Sequence, residues 1–426
     1  MGKTEERLRD AAVALGSTLG PADIPPLRLP QTSARDSRWQ GSLGRPLVIR
    51  RWLSPLAAAA SVATVIGVLV LIGSLPGPAG HRIAPHRGEP AGAADLRTAR
   101  QHGAAAPWAF WQISGAGSSD LQVTAITASS PTSAWAFASD DAGTNLRPVA
   151  WRLTGSAWTA ISFPGRPGER IVAAQASSPA NVWALTSDNR ALRWNGSSWQ
   201  VVSGFPARDV GAAAVISRSD VWVFGQLDQP AGTTPATWHY NGHDWTRVVS
   251  AAGLGEASAL SPDDIWADGG SVVAHWNGAR WTRYSVASLL PPRTQYCGPA
   301  VTGIDAVSAA DAWAVGFQNC QDTGGLGVLL HYAGGSWHRV ASLGDHDAAA
   351  VLPDGRGGLW IPADIVQGTD GTMFHFSDGR LTTARLPLRP DHLHLWIAAA
   401  APHGAAVFAG GAAGHDATGV VLRHDT

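Results

Sequence analysis

Short apolar runs broken by turn residues recur from residue 107 to the C-terminus, and the clearest copy is SPDDIWADGGSVVAHWNGARWTRYS at Ser261–Ser285. The loosely alternating GLGEASALS leads into Ser261, Pro262, Asp263 and Asp264, where fixed proline φ and Asx-type bonds favour a reversal, so a first strand is expected to end there. Ile265–Ala267 forms a second run, stopped by Gly269 and Gly270. Val273–Trp276 forms a third, stopped by Asn277 and Gly278, and Trp281–Tyr284 a fourth. This spacing predicts a four-stranded antiparallel meander, one blade of a propeller.

The first Trp of the copy recurs as Trp135, Trp183, Trp222, Trp266, Trp313 and Trp360, at intervals between 39 and 48 residues, close to a propeller period. Five of these have Ser five residues earlier: Ser130, Ser178, Ser217, Ser261 and Ser308. A second signature, an aromatic residue followed after four turn residues by Trp, recurs as Trp194 to Trp199, Tyr240 to Trp245, Trp276 to Trp281 and Tyr332 to Trp337, with weaker forms from Leu153 to Trp158 and Phe376 to Leu381. Recurrence once per blade points to packing rather than to a sugar-stacking platform.

Six Trp-bearing repeats leave the chain ends to supply a seventh. Trp396–Ala400, Ala406–Ala409 and Val420–His424 resemble first, second and third strands, while Trp111–Ser114 resembles a fourth. Pairing residues 108–115 with 420–424 removes open sheet edges, so the fold class expected is an all-β, seven-bladed propeller of four-stranded blades over residues 107–426, closed by its two ends.

The N-terminal pattern differs. Residues 5–19 place Leu8, Ala12, Leu15 and Leu19 at helical spacing, a short amphipathic helix capped by Thr4, and a Pro/Arg-rich linker follows within residues 1–50. Leu53–Leu75 is an uncharged run long enough to cross about 30 Å of hydrocarbon as a transmembrane helix. Arg45, Arg50 and Arg51 before it predict a signal anchor with the N-terminus cytoplasmic and the propeller extracellular. Residues 76–106, rich in Pro, Gly and Ala, read as a flexible stalk. Because the stalk leads into a fourth strand, the tight-turn face is expected toward the membrane.

A formal net charge of −1 over 426 residues gives no electrostatic case for nucleic acid, and all but one of the 31 basic residues are Arg. The third strands carry a basic position at Arg152, Arg193, His239, His275, His331, His375 and Arg423. Equivalent positions on a ring cannot converge on one ion, so no metal or other cofactor is expected, and these residues are read as hydrogen-bonding groups between blades. Asp220, Asp264 and Asp311 are read as turn residues satisfying backbone donors.

Connections of variable length between second and third strands run from Ser139 to Arg147, Gln226 to Pro235, Gln318 to Gly327, Ala363 to Gly371 and Gly411 to Gly419. Variable loops on a rigid scaffold are where ligands bind, and the candidate ligand-binding residues are Asp140, Asp141, Asp228, Gln321, Asp322, Asp364, Asp370 and Asp416, with Asp305 reaching the channel from an inner strand. Cys297 and Cys320 fall on the same face, and outside the cell a disulfide between them is expected.

The SPDDIWADGG and HWNGARW segments resemble a group of bacterial extracellular propellers with blades of the form S-P-x-D-x-W-A-x-G and H-W-x-G-x-x-W, a likeness that implies a fold and no activity. Residues 1–75 resemble the cytoplasmic segment and anchor of membrane proteins that accompany sigma factors, although residues 1–50 lack the His and paired Cys of the zinc-binding pattern. The leading expectation is a non-enzymatic, membrane-anchored extracellular binding or sensing module for a glycan, cell-wall or protein ligand. A transmembrane regulator whose residues 1–50 bind a cytoplasmic partner such as a sigma factor is one alternative. A propeller glycosidase or lyase is another, and it needs a convergent acid/base pair that no spacing identifies.

Overall fold

The computed structural model describes residues 96–98, 108–113, 121–140, 147–205, 210–229, 232–251, 253–293, 298–320, 324–365, 371–386, 393–414 and 418–425. The N-terminal segment of residues 1–50 and the expected transmembrane helix at 53–75 lie outside them. Among the described residues, no helix is long and apolar enough to cross a membrane.

Seven antiparallel sheets follow one another along the chain. Blades 1 to 6 occupy residues 121–161, 171–204, 210–247, 257–285, 300–344 and 346–383. Blade 7 takes His394–Ala400, Ala406–Ala413 and Thr418–Asp425 from the C-terminal end and Trp108–Ile113 from before blade 1. The closing register runs from Trp108 opposite His424 to Gln112 opposite Val420, as the sequence predicts. First strands of successive blades touch, and those of blades 7 and 1 close the ring.

Local chemistry sets the turns. Ser261 Oγ accepts from Asp263 N at 3.3 Å, and Ser217 and Ser308 make the same bond, at 3.1 and 3.2 Å, to Ser219 N and Ala310 N. These are the recurrent Ser residues, each placed just after a β-bulge in its first strand. In the third-to-fourth turn of blade 4, Asn277 Oδ1 accepts from Ala279 N and Arg280 N at 3.2 and 3.0 Å. Gly278 in that turn has φ +81° and presses against Asp263, so no side chain fits there. Asn195 is held in the same kind of turn, with Ser197 N and Ser198 N each 3.0 Å from its Oδ1.

Seven buried apolar clusters form the core, each at the boundary between two neighbouring blades. The two sequence signatures meet there. The second-strand Trp of one blade packs against the aromatic pair formed by the third and fourth strands of the next. Trp266 lies 4.7 Å from Tyr332 and 5.8 Å from Trp337, centroid to centroid. Trp135 meets Trp194 and Trp199 at 5.0 and 5.1 Å, and Trp222 meets Trp276 and Trp281 at 5.6 and 5.9 Å. Burying one Trp removes roughly 150–250 Å² from water, about 4–6 kcal/mol gross at 25 cal/mol per Å².

Two expectations change. Leu96–Thr98, within the stretch read as stalk, pairs antiparallel with the closing strand, Leu96 opposite Ile113, as a fifth strand of blade 7. The closing strand runs away from the tight turns, so this added strand runs toward them. The variable connections are also more regular than loops. In blades 3 and 5 the second and third strands continue pairing out to Gln229 opposite Gly232 and Cys320 opposite Gly324.

Candidate functional site

Each face of the ring has its own chemistry. Near the tight-turn face, the basic position of each third strand stands directly opposite the second-strand aromatic: His239 opposite Trp222, His275 opposite Trp266, His331 opposite Trp313 and His375 opposite Trp360. A directly opposed pair shares one face of the sheet, so each imidazole lies against its own blade's indole. His331 and Trp313 are 3.7 Å apart with 10° between planes, and His275 and Trp266 are 4.3 Å apart at 14°.

The same imidazoles meet carboxylates. His239 Nε2 is 2.9 Å from Asp220 Oδ1, His275 Nε2 is 2.8 Å from Asp264 Oδ1, and His331 Nε2 is 2.9 Å from Asp311 Oδ1. The expectation of bonds between blades is thus corrected, because each His bonds within its own blade, and Asp220, Asp264 and Asp311 serve histidines. Blade 6 reaches the same arrangement differently, with His375 Nε2 at 2.9 Å from Asp354 Oδ2. Asp354 Oδ1 also accepts from Arg356 N and Gly358 N, both at 2.8 Å. Burial opposes its ionisation, but the bonds from His375 and these two N–H groups prevail and hold its carboxyl below the usual range. Sequence reading missed Asp354 because it stands six residues before its Trp rather than two.

Blades 7, 1 and 2 carry Arg at this position. Arg423 Nε donates to Asp425 Oδ1 at 2.7 Å, and its guanidinium lies over Phe408. Arg152 lies beside the Trp135–Trp194 pair, its guanidinium carbon 5.9 and 5.4 Å from the ring centroids.

Of the nine expected ligand-binding residues, Asp305 and Asp364 have described side chains, and both join blades. Asp305 Oδ1 accepts from Ser258 Oγ of blade 4 at 2.6 Å and from Ala306 N at 2.8 Å. Part of its side chain stays accessible, but protein encloses the carboxyl, and burial raises it to about 6 against the lowering effect of these two bonds. The expectation that Asp305 reaches the channel gives way to this clasp, because inner-strand side chains alternate between neighbouring blades. Asp364 Oδ1 accepts from Leu395 N at 3.0 Å, and its Oδ2 lies 3.3 Å from His394 Nδ1, tying blade 6 to blade 7. The structure does not bring these two carboxylates together.

Asp140 ends the second strand of blade 1, and Asp228 pairs with Thr233 in the blade 3 hairpin. Their side chains, with Asp141, Gln321, Asp322, Asp370 and Asp416, lie outside the described residues. Cys320 ends the second strand of blade 5, while its side chain and all of Cys297 are likewise outside them, so the expected disulfide is not part of the described structure. Among the described residues, no group of three or more His, Cys, Asp or Glu is placed to hold a metal ion.

The opposite face is uneven. Second strands span Asp220–Gln229 and Asp311–Cys320, ten residues each, against the five of Asp264–Asp268 in blade 4. At about 3.4 Å per residue, the hairpins of blades 3 and 5 rise roughly 17 Å further than that of blade 4. Leu326 in the blade 5 hairpin is exposed.

No protein-family model matches this chain, and no curated protein matches it. Solved structures do share the fold. YCF48 bound to D1 peptide is similar at 13% identity and a TM-score of 0.51, over 78% of this chain and 100% of that one. The extracellular domain of a hybrid two-component system from B. thetaiotaomicron is similar at 14% identity and a TM-score of 0.50, over 72% of this chain and 38% of that one.

Proposed function

We propose that this chain is a membrane-anchored, extracellular binding or sensing module that takes a glycan, cell-wall or protein ligand on the hairpin face of its propeller. The observation that carries the reading is the asymmetry of the two faces. One face repeats the same short Ser- and Asn-capped turns, while the other raises hairpins from blades 3 and 5 above the short one of blade 4. Uniform turns serve the scaffold, and projections of unequal length present contact groups. In the similar ring of YCF48 the bound molecule is a peptide, which supports a ligand of that size. Asp305 and Asp364 are engaged in clasps, which favours recognition by the hairpins over an acid/base pair built from those two.

Anchoring rests on the uncharged run Leu53–Leu75, with Arg50 and Arg51 before it. The Cys297–Cys320 disulfide belongs to the same reading, and it adds roughly 3 kcal/mol by closing a loop in the unfolded chain. A free-thiol count of zero under denaturing, non-reducing conditions is expected, and a count of two removes it.

The test is a screen of the full-length chain in detergent against immobilised glycans, cell-wall preparations and peptides. Asp228→Ala and Asp322→Ala on the hairpin face are expected to weaken the retained ligand at least tenfold, with Arg280→Ala in a tight turn leaving it unchanged. Equal retention by all three variants overturns the assignment of the face.

A further inference from the structure

Seven blades carry one cation or imidazole each at the same register position, and five have a carboxylate beside it. Four are the Asp–His pairs of blades 3 to 6, at 2.8–2.9 Å, and the fifth is Arg423 with Asp425. Arg152 and Arg193, on the adjacent blades 1 and 2, have no carboxylate partner among the described residues. The positions that hold Asp in blades 3 to 5, two residues before the Trp, are Ser133 in blade 1 and Asn181 in blade 2. Neither substitutes for the missing acid. Ser133 Oγ accepts from Ser129 Oγ at 3.1 Å, and Asn181 accepts from Trp183 Nε1 at 3.1 Å while donating to Ser177 Oγ at 2.7 Å.

Arg152 is the more confined of the two. Its guanidinium lies against Trp135 and Trp194, rings that are 1% and 4% exposed, and its Nε is buried without a hydrogen-bond partner. Both ring faces attract the cation, and a buried donor left unmade is costly. Third strands end at the tight turns, and Arg152 is two residues from the end of Val149–Thr154, so the group sits near that face.

We propose that the boundary between blades 1 and 2 is a carboxylate-binding site at the tight-turn face, with Arg152 as its ligand. The chain's own blades supply the argument for a carboxylate, since an Asp carboxylate meets the third-strand base at this register in blades 3 to 5. Nε is enclosed by protein, so an incoming carboxylate would meet the terminal nitrogens Nη1 and Nη2 in the charge-assisted, forked pair that guanidinium geometry favours. The site lies on the face opposite the hairpins and does not rest on the reading given above.

The test titrates the full-length chain at low salt with three probes: a Gly-Glu repeat hexapeptide, glutarate and inorganic phosphate. Binding of the hexapeptide or of glutarate is expected, and the tighter of these two separates an acidic peptide from a small dicarboxylate as the source. Arg152→Gln is expected to weaken it at least tenfold. Ser133→Asp leaves the cation in place and supplies the internal carboxylate of blades 3 to 5, and it is expected to weaken binding to a similar degree. Absence of carboxylate binding overturns the proposal. So does unchanged binding in Ser133→Asp that is folded by near-ultraviolet circular dichroism, or tighter binding of phosphate than of either carboxylate.

Discussion

The boundary between blades 4 and 5 and that between blades 1 and 2 solve one packing problem with different partners. Both bury a second-strand Trp completely or nearly so, Trp266 at 0% and Trp135 at 1% exposure, against an aromatic pair of the next blade. At the 4/5 boundary the titratable side chains around the Trp have internal partners: His275 has Asp264, Asp305 has Ser258, and Tyr284 OH is 3.2 Å from Tyr332 OH. Burial and this neighbouring phenol raise Tyr284 to about 12, so its phenol stays neutral at ordinary pH. At the 1/2 boundary the imidazole and its Asp are replaced by an Arg beside two indoles and by Ser133. The apolar packing is thus common to both boundaries, and the polar lining is where they differ.

The largest effect should come from what the boundaries share. Trp266→Ala and Trp135→Ala are each expected to cost about 3–5 kcal/mol by leaving a cavity, measured by urea unfolding. A loss below about 1 kcal/mol in either would show that the aromatic contacts there are not the core. The next effect separates the boundaries by pH. Asp305 is raised in the fold, from 3.8 to about 6, so the folded state favours its protonated form. The stability this contributes is complete below about pH 4 and is lost as pH rises through 6, at most roughly 3 kcal/mol for a shift of about two units. Asp305→Asn should therefore be more stable than the parent at pH 8 by about 1–3 kcal/mol and equal to it near pH 4. Parallel pH profiles for parent and variant would remove the buried carboxyl from the account.

The smallest effect tests the polar linings directly. Asp264→Ala leaves His275 Nε2 without its acceptor and is expected to cost about 1–3 kcal/mol. Ser133→Ala removes a hydroxyl bonded only to Ser129 and should cost less than about 1 kcal/mol. Equal losses in the two variants would mean that blade 1 is as internally satisfied as blade 4, and would weaken the contrast.

Much of this fold is legible in the sequence because its rules are local. A blade as short as 29 residues holds its strands in order, with Ser at one turn and Asn-Gly at the next, and each signal acts within two or three residues of itself. Closure by the two ends was also legible, since Trp111–Ile113 carries a fourth-strand pattern with no blade of its own to complete. Asp354 was not, because the first strand of its blade divides into His346–Ala348 and Leu352–Pro353 and so shifts the turn out of phase with the other copies.

Sequence alone determined the number of blades, the order of strands and the aromatic residues that form the core, because strand period and turn chemistry are properties of adjacent residues. Tertiary structure alone decided the partners that polar side chains take outside their own turns. Trp266 meets Tyr332 and Trp337, and Ser258 meets Asp305, across stretches that no local signal spans. The stacking of one sheet on the next fixes those pairs, and it also leaves Arg152 beside two indoles with no acid partner among the described residues.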